Sequence, residues 1–151
     1  MKGERRSARQ FALQALYEID LVAHPVGDVL TALFDEATEI TPRVRTYTQQ
    51  LVAGVLRHRE MLDQYIQSHA PEWPLDQVAT VDRNLLRIAL YEFTLEEVPV
   101  KVAINEAVEL AKRYGSDSAP RFVNGVLGAL VPRQDEITQA LIRVDQSRSD
   151  K

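Results

Sequence analysis

Apolar residues recur at helical spacing along almost the whole chain, and no segment alternates apolar and polar residues as a half-buried strand does. The pattern predicts helices at about 5–22, 28–38, 42–69, 78–93, 99–114, 118–131 and 134–145. We therefore expect an all-α protein of about seven helices.

Prolines mark where the predicted helices begin and end. Thr41 followed by Pro42 is typical of a helix start, with Thr41 as the N-cap and Pro42 in the first turn. The stretch APEWP at 70–74 cannot continue a helix, because proline lacks an amide hydrogen and clashes with the preceding turn. It predicts the following division: a helical subdomain at 1–70, a second at 71–145 and a polar tail at 146–151.

Two of the predicted helices have unusual compositions. In the segment 78–93, apolar residues point almost all round the helix axis, which predicts a central, buried helix. Gly125 and Gly128 lie inside a later helix, where each costs about 1 kcal/mol relative to alanine. We expect a neighbouring backbone to approach closely at these two glycines.

The composition excludes several classes of protein. With 45% hydrophobic residues among 151, the chain can bury a core, and with no cysteine it has neither disulfides nor a thiolate metal site. No stretch approaches the roughly 20 apolar residues of a membrane span, and no apolar segment follows the charged start as in a signal peptide. We expect a cytoplasmic protein without membrane contact.

Sequence signatures of enzymes are absent. The three histidines are scattered, and there is no GxSxG, Walker A or GxGxxG motif. The acidic pair Glu96-Glu97 is adjacent in sequence, whereas catalytic carboxylates face each other across a cleft. The sequence therefore predicts a non-enzymatic protein without a metal or cofactor.

Charge is concentrated at the amino terminus. The first nine residues carry a net charge of +3, so the remainder carries −7 to give the total of −4. On a helical projection, Ala8, Ala12 and Leu16 lie on the predicted core face, and Leu13 and Tyr17 lie on the side facing away from it. Beside the core face runs one basic stripe, formed by Lys2, Arg5, Arg6 and Arg9. A solvated charge run is the alternative interpretation, but arginine is the stronger ligand for phosphates and bases.

The start of the helix in SDSAPRFVNG is a second candidate site. Helix N-terminal amides favour anions, Arg121 adds positive charge, and Phe122 is a side chain on which an RNA base can stack. Phe122 beside Val123 also fits a core position, and the sequence leaves both interpretations open.

Three blocks of the sequence resemble one family. VDRNLLRIALYE, VPVKVAINEAVELAKRYGSDSAPRFVNGVLGAL and the arginine-rich start closely resemble the bacterial transcription antitermination factor NusB, over about 3–131. The resemblance implies two small helical bundles packed together. It also implies binding of single-stranded boxA RNA together with the ribosomal protein NusE, and action on the RNA polymerase elongation complex during ribosomal RNA transcription.

The resemblance implies roles for individual residues. The family's basic motif falls on Lys2, Arg5, Arg6 and Arg9, and a further RNA position falls on Phe122 with Arg121. Tyr17, beside Leu13, matches the ribosomal-protein contact. Asp82 matches an acidic position near the partner and RNA surfaces, and Asp117 and Ser118 lie in the partner-contacting loop.

Two other functional classes remain open from the sequence. A NusB-like domain also forms the amino-terminal part of certain RNA cytosine methyltransferases, and a helical bundle of this kind can serve protein interaction alone. Relatives include monomers and homodimers, and the sequence favours neither.

Overall fold

The computed structural model describes residues 2–37, 40–69 and 74–149, with the side chains of residues 2 and 149 outside this description. The α-helices are α1 (Lys2–Leu21), α2 (Val26–Glu36), α3 (Pro42–Ser68), α4 (Thr80–Thr94), α5 (Val100–Tyr114), α6 (Ala119–Leu130) and α7 (Gln134–Ser149). Short 3-10 turns lie at Leu75–Gln77 and Val131–Arg133. The described residues contain no strand, so the predicted all-α fold is confirmed.

The chain divides into two compact units, at 1–54 and 55–151, and the division falls inside α3. The sequence predicted it at 70/71, where 70–73 lie outside the described residues. The position inside α3 has a physical reason. The first half of this helix packs with α1 and α2, as the Thr48 hydroxyl shows by donating to the Ala8 carbonyl at 3.4 Å. The second half is tied to α4 and α7 instead.

Unit 1 is organised by one buried face of α1 and by the start of α3. Ala8, Ala12 and Leu16 are all buried, as the helical projection predicts. The predicted N-cap is also confirmed, because the Thr41 hydroxyl accepts a hydrogen bond from the Val44 amide at 3.2 Å. The same hydroxyl donates to Glu4 Oε2 at 3.0 Å and so joins the start of α3 to the first turn of α1.

Unit 2 is built around α4. Every residue from Asn84 to Thr94 is buried, and α4 packs against α5, α6 and α7. The central, buried helix predicted from 78–93 is therefore confirmed. Arg87 on α4 forms a bidentate ion pair with Asp63 on α3, at 2.7 and 2.8 Å. Its remaining terminal nitrogen donates to Asn84 Oδ1 at 3.0 Å.

The glycines of α6 are not contact points. A Cβ built on Gly125 or Gly128 meets nothing within 4 Å, so the predicted close approach of a neighbouring backbone is wrong at both positions. Both glycines lie on the exposed side of α6, whose opposite side buries Val123 and Leu127. The tight glycine of unit 2 is Gly115, where a Cβ would lie 2.6 Å from the Ala119 Cβ and 2.9 Å from the Ala111 carbonyl oxygen.

Helix α7 continues to Ser149, through most of the segment predicted as a polar tail at 146–151. One reason is a tertiary contact that local composition does not reveal. The Arg148 guanidinium donates to the Arg57 carbonyl oxygen on α3, at 3.1 Å. None of the helices in the described part of the chain is long and apolar enough to cross a membrane.

Candidate nucleic-acid interface

The exposed part of the predicted basic stripe lies in the first turns of α1. The side chains of Arg5 and Arg6 are both exposed, as the sequence predicts. The Arg5 guanidinium carbon lies 4.3 Å from the ring centroid of Tyr47 on α3, within the range of a cation–π contact. Lys2 belongs to α1, but its side chain lies outside the described residues.

Two residues of α1 that the sequence placed on the outward surface are buried in the structure. Arg9 and Leu13 are each only 4% exposed, so the prediction that they lie on an outward surface is wrong. The pair is four residues apart and therefore shares one row of the helix. This row is covered in its middle, whereas Arg5 and Tyr17, at its two ends, stay exposed. Arg9 has an interaction partner in the fold, as a buried guanidinium requires.

Tyr17 is 43% exposed, which confirms its predicted orientation. Leu21, Val22 and Val26 are also exposed, so the end of α1 and the start of α2 both present apolar side chains to solvent. A large aromatic side chain among exposed aliphatic residues is typical of protein-binding surfaces. The contact of Tyr17 with a protein partner stays a prediction.

In unit 2, Asp82 lies against the loop that joins α5 to α6. Its side chain is almost buried, at 7% exposure, and Oδ1 has no hydrogen-bond partner among the described residues. A Cβ added to Gly115 of this loop would lie 3.1 Å from that oxygen. Burial raises the pKa of the Asp82 carboxyl above its ordinary value. Asp82 is therefore a buried acceptor beside a loop that carries other predicted site residues.

The predicted loop residues and the start of α6 lie close together in the chain and are accessible. Asp117 and Ser118 are exposed, and the Ser118 hydroxyl lies 3.4 Å from that of Ser116. Ser118 occupies the N-cap position of α6 without making a side-chain cap. Arg121 is exposed and Phe122 is half-buried, so Phe122 contributes to packing and also presents part of its ring to solvent.

Sequence reasoning missed the contribution of α3 to the basic surface. Arg43 and Arg45 are exposed in its first turn, and Tyr47 supplies the ring beneath Arg5. The signal was present in PRVRTY, where Arg43, Arg45 and Tyr47 occupy every second position directly after the helix start. It was hidden because the partner of Tyr47 lies 42 positions earlier in the sequence, on another helix.

The described titratable groups include one buried histidine with a structural role. His58 Nε2 lies 3.1 Å from Asp145 Oδ1, which also pairs with Arg57 Nε at 2.7 Å. Burial lowers the pKa of the His58 imidazole and outweighs the opposing effect of the Asp145 carboxylate. Within the described ranges, no three His, Asp or Glu side chains are arranged to hold a metal ion.

These features define a helical protein with an arginine-rich surface suited to an anionic ligand. Comparison with known proteins identifies the class of protein, because residues 6–132 match the model of the NusB family. The chain belongs to the NusB family, as its sequence predicts. It is 47% identical to the transcription antitermination protein NusB of Dehalococcoides mccartyi strain CBDB1, over 86% of this chain and 91% of that one. It is 46% identical to that of Bacillus subtilis strain 168, over 82% and 92%.

Solved structures agree with the fold. A crystal structure of the antitermination factors NusB and NusE in complex with double-stranded RNA matches with a TM-score of 0.79 and 29% identity. The match covers 93% of this chain and 99% of the matched chain in that structure. NusB of T. maritima matches with a TM-score of 0.75 and 31% identity, over 89% and 90% of the two chains.

Proposed function

We propose that this protein is a non-catalytic, cytoplasmic RNA-binding adaptor in transcription antitermination. It binds single-stranded boxA RNA together with NusE and acts on the RNA polymerase elongation complex during ribosomal RNA transcription. The observation that carries the proposal is the exposed arginine pair, Arg5 and Arg6, at the start of α1 in a member of the NusB family. The solved complex of NusB and NusE with double-stranded RNA supports the choice of NusE and of RNA as partner classes.

Electrostatics explains how an acidic protein can bind RNA in this way. The net charge of −4 repels a polyanion from most of the surface, while a local cluster of arginines attracts it to one place. Arginine also presents a planar fork that donates two hydrogen bonds to one phosphate. Phosphate contacts from Arg5 and Arg6 therefore supply affinity and fix the position of the strand.

The α5–α6 loop and α4 supply the second part of the proposal. Asp82, Asp117 and Ser118 contact NusE, and Arg121 with Phe122 contacts RNA. The position of Asp82 supports this assignment, because its Oδ1 would lie 3.1 Å from a Cβ on Gly115, two residues before Asp117 in the same loop. The exposed part of Phe122 is available for base stacking.

Replacing Arg6 with alanine is expected to lower both the affinity for RNA and the dependence of that affinity on salt concentration. If Arg5, Arg6 and Arg121 each meet one phosphate, these three contacts together should contribute about −2 to the slope of log K against log salt. Arg6→Ala should reduce the slope by about 0.7 and the affinity about tenfold. Fluorescence anisotropy with boxA RNA across a salt series measures both quantities.

The matched control for Arg6→Ala is Arg143→Ala, which removes an exposed arginine of α7. It should leave both the slope and the affinity close to those of the unmodified protein. Equal behaviour of the two variants would reject the assignment of Arg6. A shift assay with and without NusE then separates an RNA-binding adaptor from a bundle that binds protein alone.

Tyr17→Ala is expected to lower the affinity for NusE about 30-fold, because exposed aromatic anchors dominate many interfaces. Tyr17→Phe keeps the ring and should retain most of the affinity. Isothermal titration with NusE measures both, and circular dichroism checks that the helices persist. Unchanged binding of Tyr17→Ala would return this residue to the ordinary protein surface.

A further inference from the structure

A groove of about 450 Å³ lies in unit 1 between the first turns of α1 and α3. Its polar and aromatic lining is formed by Glu4, Arg5, Arg43, Thr46, Tyr47 and Gln50. The volume falls within the range of roughly 300–1,000 Å³ that is typical of small-molecule sites. One of the lining residues is Arg5, which belongs to the exposed arginine pair already described.

Two side chains of the groove, Arg5 and Tyr47, already contact each other. Tyr47 is buried, and the Arg5 guanidinium covers its ring at 4.3 Å from the centroid. The exposed Arg5 has a second face that Tyr47 does not occupy. RNA bases stack on guanidinium planes as well as on aromatic rings, so Arg5, positioned over the Tyr47 ring, offers a platform for one base.

Arg43 supplies the charge that a phosphate requires. It is exposed in the first turn of α3, lines the groove and makes no hydrogen bond or ion pair with any residue that the structure describes. Glu4, which also lines the groove, accepts a hydrogen bond from the Thr41 hydroxyl at 3.0 Å. The two arginines outnumber this carboxylate, so the charged side chains that line the groove carry a net positive charge.

We propose that the groove binds one nucleotide of the RNA strand, with its base on the outer face of Arg5 and its phosphate on Arg43. The inference rests on the proposed RNA-binding function and deepens it. It extends the RNA path from the arginine pair of α1 onto α3, and it gives Tyr47 the role of a positioning residue beneath Arg5.

Arg43→Ala tests the phosphate half of the proposal, with Arg45→Ala as its matched control. Both arginines are exposed in the first turn of α3, but Arg45 lies over Phe34, at 5.0 Å from the ring centroid, and does not line the groove. Arg43→Ala should bind boxA RNA about tenfold more weakly, with a salt slope smaller by about 0.7. Arg45→Ala should change both quantities much less, although it removes the same charge.

The unmodified protein must first bind the RNA. If Arg43→Ala and Arg45→Ala then change that binding equally, the proposed nucleotide site in the groove is overturned and the proposed function stands. In that case Arg6→Ala would still weaken binding. Failure of the unmodified protein to bind the RNA, with or without NusE, would overturn both.

Arg5→Lys tests the stacking half, because lysine keeps the charge and loses the planar guanidinium. The affinity should fall about fivefold or more, the typical loss for one stacked base, while the salt slope stays unchanged. Tyr47→Phe keeps the ring beneath Arg5 and should bind RNA like the unmodified protein. Wild-type affinity of Arg5→Lys would show that Arg5 acts only as a point charge and would overturn the stacking assignment.

Discussion

Replacing Arg87 with methionine should destabilise the protein by about 3 kcal/mol, the lower end of the range measured when one partner of a buried ion pair is removed. The Arg87 side chain is 6% exposed and that of Asp63 is 27% exposed. Without Arg87, the Asp63 carboxylate stays partly desolvated and loses two hydrogen bonds, and Asn84 Oδ1 loses its donor. Urea denaturation followed by circular dichroism measures the free energy of unfolding.

Two further variants test whether the loss of stability is specific to the buried ion pair of Arg87. Lys112→Met breaks an exposed pair with Glu109, whose charged atoms are 3.1 Å apart, and should cost less than about 1 kcal/mol. The double variant Arg87→Met with Asp63→Leu removes both charges and should recover much of the stability. Equal losses for Arg87→Met and Lys112→Met would contradict the role assigned to the buried pair.

Gly115→Ala is expected to cost about 2 kcal/mol through crowding alone. The backbone at Gly115, with φ of −94°, suits alanine, so conformational strain is not the cause. The added Cβ would lie 2.6 Å from the Ala119 Cβ and 2.9 Å from a backbone oxygen, and one of these must move. Because Asp82 Oδ1 is also within 3.1 Å of that Cβ, the shift should weaken NusE binding at the α5–α6 loop as well.

Gly128→Ala is the matched control, since the same substitution meets open space on the exposed side of α6. It should stabilise the protein by roughly 0.5–1 kcal/mol, because alanine is the better helix former. Ala119→Gly in the Gly115→Ala background should restore part of the lost stability by removing the nearer carbon. A Gly115→Ala variant as stable as Gly128→Ala would refute the close packing at this loop.

Local sequence signals were sufficient to locate the helices, although the sequence ended α7 too early. Thr41-Pro42 gave the start of α3 to the residue, because a cap and a first-turn proline act within one turn. Apolar residues on almost all sides of α4 correctly predicted that this helix is buried. The failures were Arg9, Leu13, Gly125 and Gly128, and each concerned what a helix packs against. A helical projection finds the most apolar face but does not show how many faces are covered.

The candidate site shows the same limit. The sequence identified Arg5, Arg6 and Tyr17 as outward-facing, since periodicity along one helix is enough to orient them. It did not find the cation–π contact of Arg5 with Tyr47, the position of Asp82 beside Gly115 or the division of the chain inside α3. These features join positions that are far apart in sequence.

The sequence by itself thus determined the number and approximate positions of the helices, the start of α3 and the family, because backbone propensity and local motifs act over a few residues. Only the tertiary structure decided which arginines of α1 are available to a ligand and which side chains of α3 stand beside them. Those properties depend on packing between helices, and the periodicity of one helix does not show which other helices pack against it.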